Sequence, residues 1–215
     1  MATAPGPGGM DPGPGDMAPG RAHTYPILLD RTIRTERLLL RPWRPDDAGD
    51  RAVFESLRAD PDVVRFLYTG VMIPEEADEQ LSRWDATITA PGGWMNLAVV
   101  LVDGGETVGD VGLAWMGDDH RQAEVGYAFA PRHHGNGYAT EATAAMVDLA
   151  FTELGAHRVC GRLDARNARS ARLLERLGMR HEALFVQNEW VKGEWTDEIV
   201  YAVLADEWAR SRRVH

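Results

Sequence analysis

A single cysteine, Cys160, leaves the chain without an internal disulfide, and neither a CxxC pair nor a Cys/His grouping at zinc spacing is present. A reducing cytoplasm suits such a chain, and no metal is expected. No apolar run approaches the 18 or so residues that a membrane-spanning helix needs; the longest, Leu97 to Val102, has strand length, so no membrane span is expected. Basic residues are outnumbered, 23 against 33 acids, for a net charge of −10. That balance argues against general affinity for nucleic acid, because neutralising phosphates needs a basic footprint. The opening 25 residues are rich in proline and glycine but lack the basic-then-apolar order of a secretory signal. Residues 1–25 are therefore predicted to be a disordered tail, and 26–215 a single domain of ordinary globular composition, 44% hydrophobic and 26% charged.

The charges are unevenly placed. From Arg44 to Asp85 there are eleven acids against five arginines, whereas from Arg158 to Arg180 seven arginines face only Asp164 and Glu175. One end suits a cation, the other an anion.

Hydrophobic periodicity predicts a β-α-α-β-β-β-α-β-α-β-β order. Arg37 to Trp43 reads as a strand. A helix through Val53, Phe54 and Leu57 follows Pro45-Asp46-Asp47 and is interrupted by Pro61, and a second starts after Pro74 with Leu81 and Trp84 facing inward. Asn96–Val102 and Thr107–Trp115 form a hairpin about Asp103-Gly104-Gly105. Gln122–Phe129 alternates, with Ala123, Val125, Tyr127 and Phe129 on one face and Glu124 on the other. Helices over Thr140–Leu154 and Ala168–Leu177 flank a strand at His157–Asp164; Met179–Glu189 and Glu198–Leu204 complete the chain.

Between a strand end and a helix start lies Pro131-Arg132-His133-His134-Gly135-Asn136-Gly137-Tyr138-Ala139-Thr140. Glycines there let the backbone adopt φ > 0, and the first turn of the next helix offers free N–H groups to an anion such as a phosphate. On spacing alone a simple tight connection explains Gly135 and Gly137 equally well. The run is not a dinucleotide fingerprint, since position 140 is Thr rather than the third glycine, nor a P-loop, which ends Gly-Lys-Ser/Thr.

Arg132-x-x-Gly135-x-Gly137-Tyr138-Ala139-Thr140-Glu141-Ala142 resembles the acetyl-CoA pyrophosphate loop of the GNAT superfamily, whose pattern is Gln/Arg-x-x-Gly-x-Gly/Ala. Asn167-Ala168-Arg169-Ser170 followed by Leu174-Glu175-Arg176-Leu177-Gly178-Met179 is similar to the second half of its signature, and Arg37 to Trp43 resembles the branch containing ribosomal-protein N-terminal acetyltransferases. The resemblance, running from about Thr35 to Trp208, implies an α/β fold: a mixed, strongly twisted sheet of about seven strands whose fourth and fifth splay apart to hold the pantetheine arm. It implies acetyl-CoA as cosubstrate, a primary amine as acceptor and a homodimer as a plausible assembly. Arg132, Gly135, Gly137, Ala139 and Thr140 would hold the pyrophosphate, with His133, His134, Asn136 and Tyr138 in the same loop. Asn167 would border the cofactor arm and Ser170 would stabilise or protonate the departing thiolate; the alternative is a local turn at Asn167 and a helix cap at Ser170. Many members carry a tyrosine as the acid, where this sequence has Leu174.

Direct transfer needs a base for the amine proton and an N–H donor for the oxyanion. Glu124, an isolated acid on a small and apolar strand, is the preferred base, because partial burial would raise its pKa. Glu141, which would otherwise complement a helix dipole, and Tyr127 follow. Cys160 reads as a core residue before a nucleophile. The acidic Asp46–Asp85 segment, tryptophans 43, 84, 94, 115, 190 and 195, and a loop from Val186 to Trp195 are candidates for the acceptor side, the loop also for a subunit interface. Rival functions are an acyl-CoA sensor with weak catalysis and a succinyl-CoA-dependent acyltransferase; the latter needs a cation near the acyl end of the gap, which the sequence does not place. An unrelated nucleotide-binding protein leaves the Asn167 motif unexplained.

Overall fold

Burial alternates from Gln122 to Val125, whereas all nine residues from Thr107 to Trp115 are buried, as a central strand covered on both faces requires. The computed structural model describes residues 25–84, 86–116 and 121–212; the predicted tail, but for Tyr25, lies outside them. In chain order the elements are β1 (Ile27–Leu28), β2 (Ile33–Arg34), β3 (Leu38–Pro42), α1 (Ala48–Ala59), α2 (Pro61–Val64), α3 (Pro74–Arg83), β4 (Thr87–Ile88), β5 (Trp94–Leu101), β6 (Thr107–Trp115), β7 (Gln122–Phe129), α4 (Tyr138–Thr152), β8 (Arg158–Asp164), α5 (Ala168–Arg176), β9 (Arg180–Val191), β10 (Glu194–Leu204) and α6 (Ala205–Ser211). The main sheet has eight strands, one more than predicted, in the order β2-β3-β5-β6-β7-β8-β10-β9, and β1 pairs with β4 separately. Every neighbouring pair is antiparallel except β7 and β8.

Ala123, Val125 and Phe129 join the large core beneath α4 and α5, with Met146, Leu173 and Leu174. Glu124 and Gly126 point to the other face, where α1 and α3 pack through Phe54, Leu57, Ala77 and Leu81. Arg58 is buried there, with its guanidinium 4.6 Å from the Phe54 ring centroid and 4.7 Å from that of Trp84. It donates to Asp110 at 2.9 Å and Gln80 at 3.0 Å, bolting both helices to β6. Burial pushes the Asp110 carboxyl up, and the Arg58 charge works against that rise.

Two sequence expectations gain detail and a third is corrected. Pro61 does not merely interrupt a helix: with Asp60 capping it, it opens α2, where its missing N–H is harmless. Six acids of the Asp46–Asp85 segment are engaged in local structure. Asp47 and Asp60 cap helices, Glu76 accepts from the Ile73 N–H, Asp50 pairs with Arg41, Asp78 with Arg51 and Glu79 with Arg83. Finally, Val186–Trp195 is not a loop but the end of a long hairpin that turns at Lys192-Gly193, both at positive φ, with Trp190 and Trp195 edge to face at 5.3 Å.

Candidate active site

β7 and β8 pair only from Gln122–Glu124 to Arg158–Cys160, then part. Beyond that point β7 stays with β6 and β8 with β10, so the facing edges of β7 and β8 open into a gap. Unpaired strand edges can receive an extended ligand as an added strand. On α5 the Leu174 side chain comes so close to Gly161 that an added Cβ would lie 2.8 Å from it, which draws the helix onto β8.

β7 ends on Phe129 and leads into the glycine-bearing turn. Gly135 and Gly137 stand at φ +82° and +81°, a region where a Cβ is penalised. Gly137 is the N-cap of α4 and has no side chain to close the helix start. Among the described residues, the six backbone N–H groups from Gly135 to Thr140 donate to no protein acceptor. By contrast, those of His133 and His134 are taken by the carbonyls of Ala130 and Pro131. The loop's side chains fix its shape: Arg132 and His133 reach Glu106 at 3.1 Å, and Asn136 donates to the His133 carbonyl at 3.1 Å. Arg132, first among these partners, holds the Glu106 carboxyl below its ordinary range. His134 Nε2 lies 2.9 Å from the Phe129 carbonyl and Nδ1 3.0 Å from Arg169. A guanidinium can only donate, so Nδ1 accepts and Nε2 carries the proton. Arg169 and Arg176, whose Nη2 is 3.5 Å from Thr140 Oγ1, bring positive charge beside the open N–H groups.

The head of α5 is built the opposite way. Asn167, not Ser170, is the cap: its side-chain oxygen accepts from the Ser170 N–H at 3.1 Å, which corrects the expected cap at Ser170. This end is closed by its own side chain. Asn167→Ala is expected to lower unfolding free energy by about 1 kcal/mol, measured by urea denaturation; unchanged stability would mean that the cap is redundant. Tyr127 crosses from β7 to place its hydroxyl 3.4 Å from the Ser170 carbonyl, and burial pushes that hydroxyl up to about 12. It holds its proton at neutral pH and does not serve as the base.

Glu124 sits where the strands part, in register with Cys160. Burial pushes its carboxyl up to about 7, Arg162 at 3.7 Å opposes the rise, and the charge of Glu198 adds to it. Arg162 also donates to both oxygens of Glu198 at 3.1 and 3.0 Å, and Asn188 donates to Glu198 at 3.0 Å. Glu198 is 3% exposed. Tyr68, from the segment between α2 and α3, keeps most of its ring in solvent, yet its hydroxyl is pushed up by burial and then by Glu189, Glu198 and Glu124. Glu124, Arg162, Glu198 and Asn188 thus form one connected cluster. Lys192, at the hairpin tip, ties the hairpin to the end of α2 by donating to the carbonyls of Val64 and Arg65 at 2.7 and 2.9 Å.

Trp94 lies across Gly112 and Gly126, where an added Cβ would meet its ring at 3.0 and 3.1 Å, and so floors the sheet beside Glu124. Of the other tryptophans, Trp43 and Trp115 are core, Trp84 meets Phe54 edge to face at 5.2 Å, and Trp190 and Trp195 are exposed. Cys160 is buried, with its thiol pushed up by burial, the state of an inert core cysteine. Glu141 accepts from Thr35 at 2.6 Å and from the Arg37 N–H and side chain at 2.9 and 2.7 Å. Burial alone would raise its carboxyl, but these bonds outweigh it and hold Glu141 below its ordinary range, as a latch rather than a base. Sequence reasoning did not single out Arg37, Arg162, Glu198 or Tyr68. For Arg162 a signal existed, a charge set between Gly161 and Leu163, whereas Glu198 follows Asp197 and does not stand out. Among the described residues no group of three or more His, Cys, Asp or Glu is placed to hold a metal, and no helix is long and apolar enough to cross a membrane.

The acetyltransferase (GNAT) domain family matches residues 37–180. The uncharacterized N-acetyltransferase YnaD of Bacillus subtilis (strain 168) is 30% identical over 176 residues, 82% of this chain and 98% of that protein. A GNAT-family acetyltransferase from Bacillus anthracis superposes with a TM-score of 0.72 at 28% identity, covering 82% of this chain and all of the other. Spermidine N-acetyltransferase from Vibrio cholerae, solved in complex with CoA and spermine, shares the fold with a TM-score of 0.67 at 20% identity, over 81% of this chain and 99% of its own.

Proposed function

The chain belongs to the GNAT acetyltransferase family of acyl-CoA-dependent N-acyltransferases, and on that premise we propose a cytoplasmic enzyme that moves an acetyl group from acetyl-CoA directly to a primary amine. The observation that carries this reading is the row of six unbonded N–H groups from Gly135 to Thr140, set beside a strand gap with a half-neutral carboxylate at its apex. Acetyl-CoA, when bound, supplies an acyl group activated on sulfur. The open N–H groups and the adjoining arginines suit its pyrophosphate, and the edges of β7 and β8 suit its pantetheine arm.

Glu124 acts as general base. The Glu124 carboxylate takes a proton from the arriving ammonium; the neutral nitrogen then bonds to the acyl carbon, the carbon–sulfur bond breaks, and the nitrogen's second proton leaves to balance the one taken up by the sulfur. The sulfur takes its proton at the head of α5, where Ser170 stands with the protonated Tyr127 hydroxyl against its carbonyl. Trp94, Tyr68 and the carboxylates of Glu189 and Glu198 favour an acceptor that arrives as a cation. Spermine bound to the Vibrio cholerae fold neighbour agrees with a cationic amine, whereas the Arg37-to-Trp43 opening supports a protein N-terminus. The acetyl donor is preferred over succinyl: the structure does put a cation near the apex, Arg162, but Glu198 and Glu124 already engage it.

Calorimetric titration with acetyl-CoA, and with free CoA and succinyl-CoA alongside, tests the reading without an acceptor. Micromolar binding of acetyl-CoA, about −8 kcal/mol, followed by thiol release on addition of primary amines, is the expected result. A protein that binds none of the three is not this enzyme.

A further inference from the structure

We propose that Arg37 is a positioning residue of the cofactor site: it aims the loop's central peptide so that the Gly137 N–H faces the pyrophosphate. The inference rests on the acetyl-CoA reading above and adds to it a residue that lies 99 positions upstream of the loop's Asn136. Arg37 precedes β3, and its Nη1 donates to the Asn136 carbonyl at 2.9 Å. In a trans peptide the carbonyl and the following N–H point in opposite directions. Holding the Asn136 oxygen against the guanidinium therefore turns the Gly137 N–H away from Arg37, and that N–H, like its neighbours, donates to no described protein acceptor.

The guanidinium is itself fixed. Glu141, one turn into α4, accepts from Arg37 Nε at 2.7 Å and from its backbone N–H at 2.9 Å, and Thr35 donates to the same carboxylate at 2.6 Å. Arg37 also lies 4.9 Å from the centre of the Tyr138 ring, and its Nη2 is 3.3 Å from where a Cβ on Gly137 would sit. The start of the main sheet, the loop and the first turn of α4 are thus joined at one side chain. Because Glu141 balances the charge, Arg37 acts by direction rather than by net field, and Arg169 and Arg176 remain the cations facing an anion.

The test compares two variants for binding of acetyl-CoA and of pantetheine, which lacks the pyrophosphate. Arg37→Gln frees the Asn136 carbonyl and is expected to weaken acetyl-CoA binding about tenfold by calorimetry, while leaving displacement of acetyl-CoA by pantetheine, normalised to that affinity, unchanged. Arg51→Gln, which opens the ion pair with Asp78 between α1 and α3, is the control and is expected to leave acetyl-CoA affinity unchanged. Wild-type acetyl-CoA affinity in Arg37→Gln would overturn the inference while leaving the acetyltransferase reading intact. Equal weakening toward acetyl-CoA and pantetheine would overturn it too, since Arg37 would then act on the gap as a whole. Failure of the wild-type protein to bind acetyl-CoA would instead remove the reading on which the inference rests.

Discussion

Replacing Gly137 with valine is expected to lower acetyl-CoA affinity about a hundredfold, measured by calorimetry on a variant whose melting curve shows that it is folded. Gly137 stands at φ +81°, where an L-residue pays roughly 1–2 kcal/mol and a β-branched one more. Its added Cβ would also press on the Arg37 guanidinium at 3.3 Å. The backbone relieves that strain by rotating the Asn136–Gly137–Tyr138 peptides, and those peptides carry the N–H groups proposed to face the pyrophosphate. Each charge-assisted bond lost is worth about 1.5–3 kcal/mol, so misdirecting one or two accounts for the factor of a hundred. Gly135→Val tests the same loop at a more open place, since an added Cβ there meets nothing within 4 Å. Only its φ of +82° opposes the change, and a smaller loss is expected. Unchanged affinity in Gly137→Val would end the assignment of this turn to an anion.

Those two glycines were legible in the sequence because a turn between a strand and a helix that needs φ > 0 admits few other residues. The alternation of Gln122–Phe129 was legible for a similar reason: Ala123, Val125 and Phe129 are apolar because they face one core, and Glu124 stands out because it does not. The two-residue strands β1, β2 and β4 left no periodic signal, for each exists only through its partner. Both strands of the β9–β10 hairpin were legible, but its far end read as a loop because Lys192 occupies the first positive-φ turn position, where asparagine is the usual cue. Its compensation is tertiary, the two bonds from Lys192 to the end of α2. Likewise, the meeting of Glu124, Arg162 and Glu198 depends on the registers of β7, β8 and β10, and no local pattern encodes a pairing between strands so far apart in the chain.

That meeting determines how Glu124→Gln should behave. If Glu124 takes the amine proton, the variant loses turnover by about two to three orders of magnitude with acetyl-CoA affinity nearly unchanged. Wild-type turnover must rise with pH through about 7, because below that value the buried carboxyl keeps its own proton. The neighbours set the position of this limb with opposite signs. Glu198→Gln removes a negative charge that lifts Glu124 and frees Arg162 to pair with it, so the limb should move to lower pH, whereas Arg162→Met should move it higher. Stability should run against activity. Since folding raises the Glu124 pKa from 4.5 to about 7, its favourable contribution is complete below 4.5 and is lost as pH rises through 7. At pH 8 the wild-type protein therefore carries a buried charge disfavoured by roughly 3 kcal/mol. Glu124→Gln should unfold at higher urea than wild type at pH 8 and at nearly the same urea at pH 4.5. A variant with the wild-type rate and pH profile would remove Glu124 from the reaction, and equal stability at both pH values would show that its carboxylate is better solvated than its place between β7 and β8 implies.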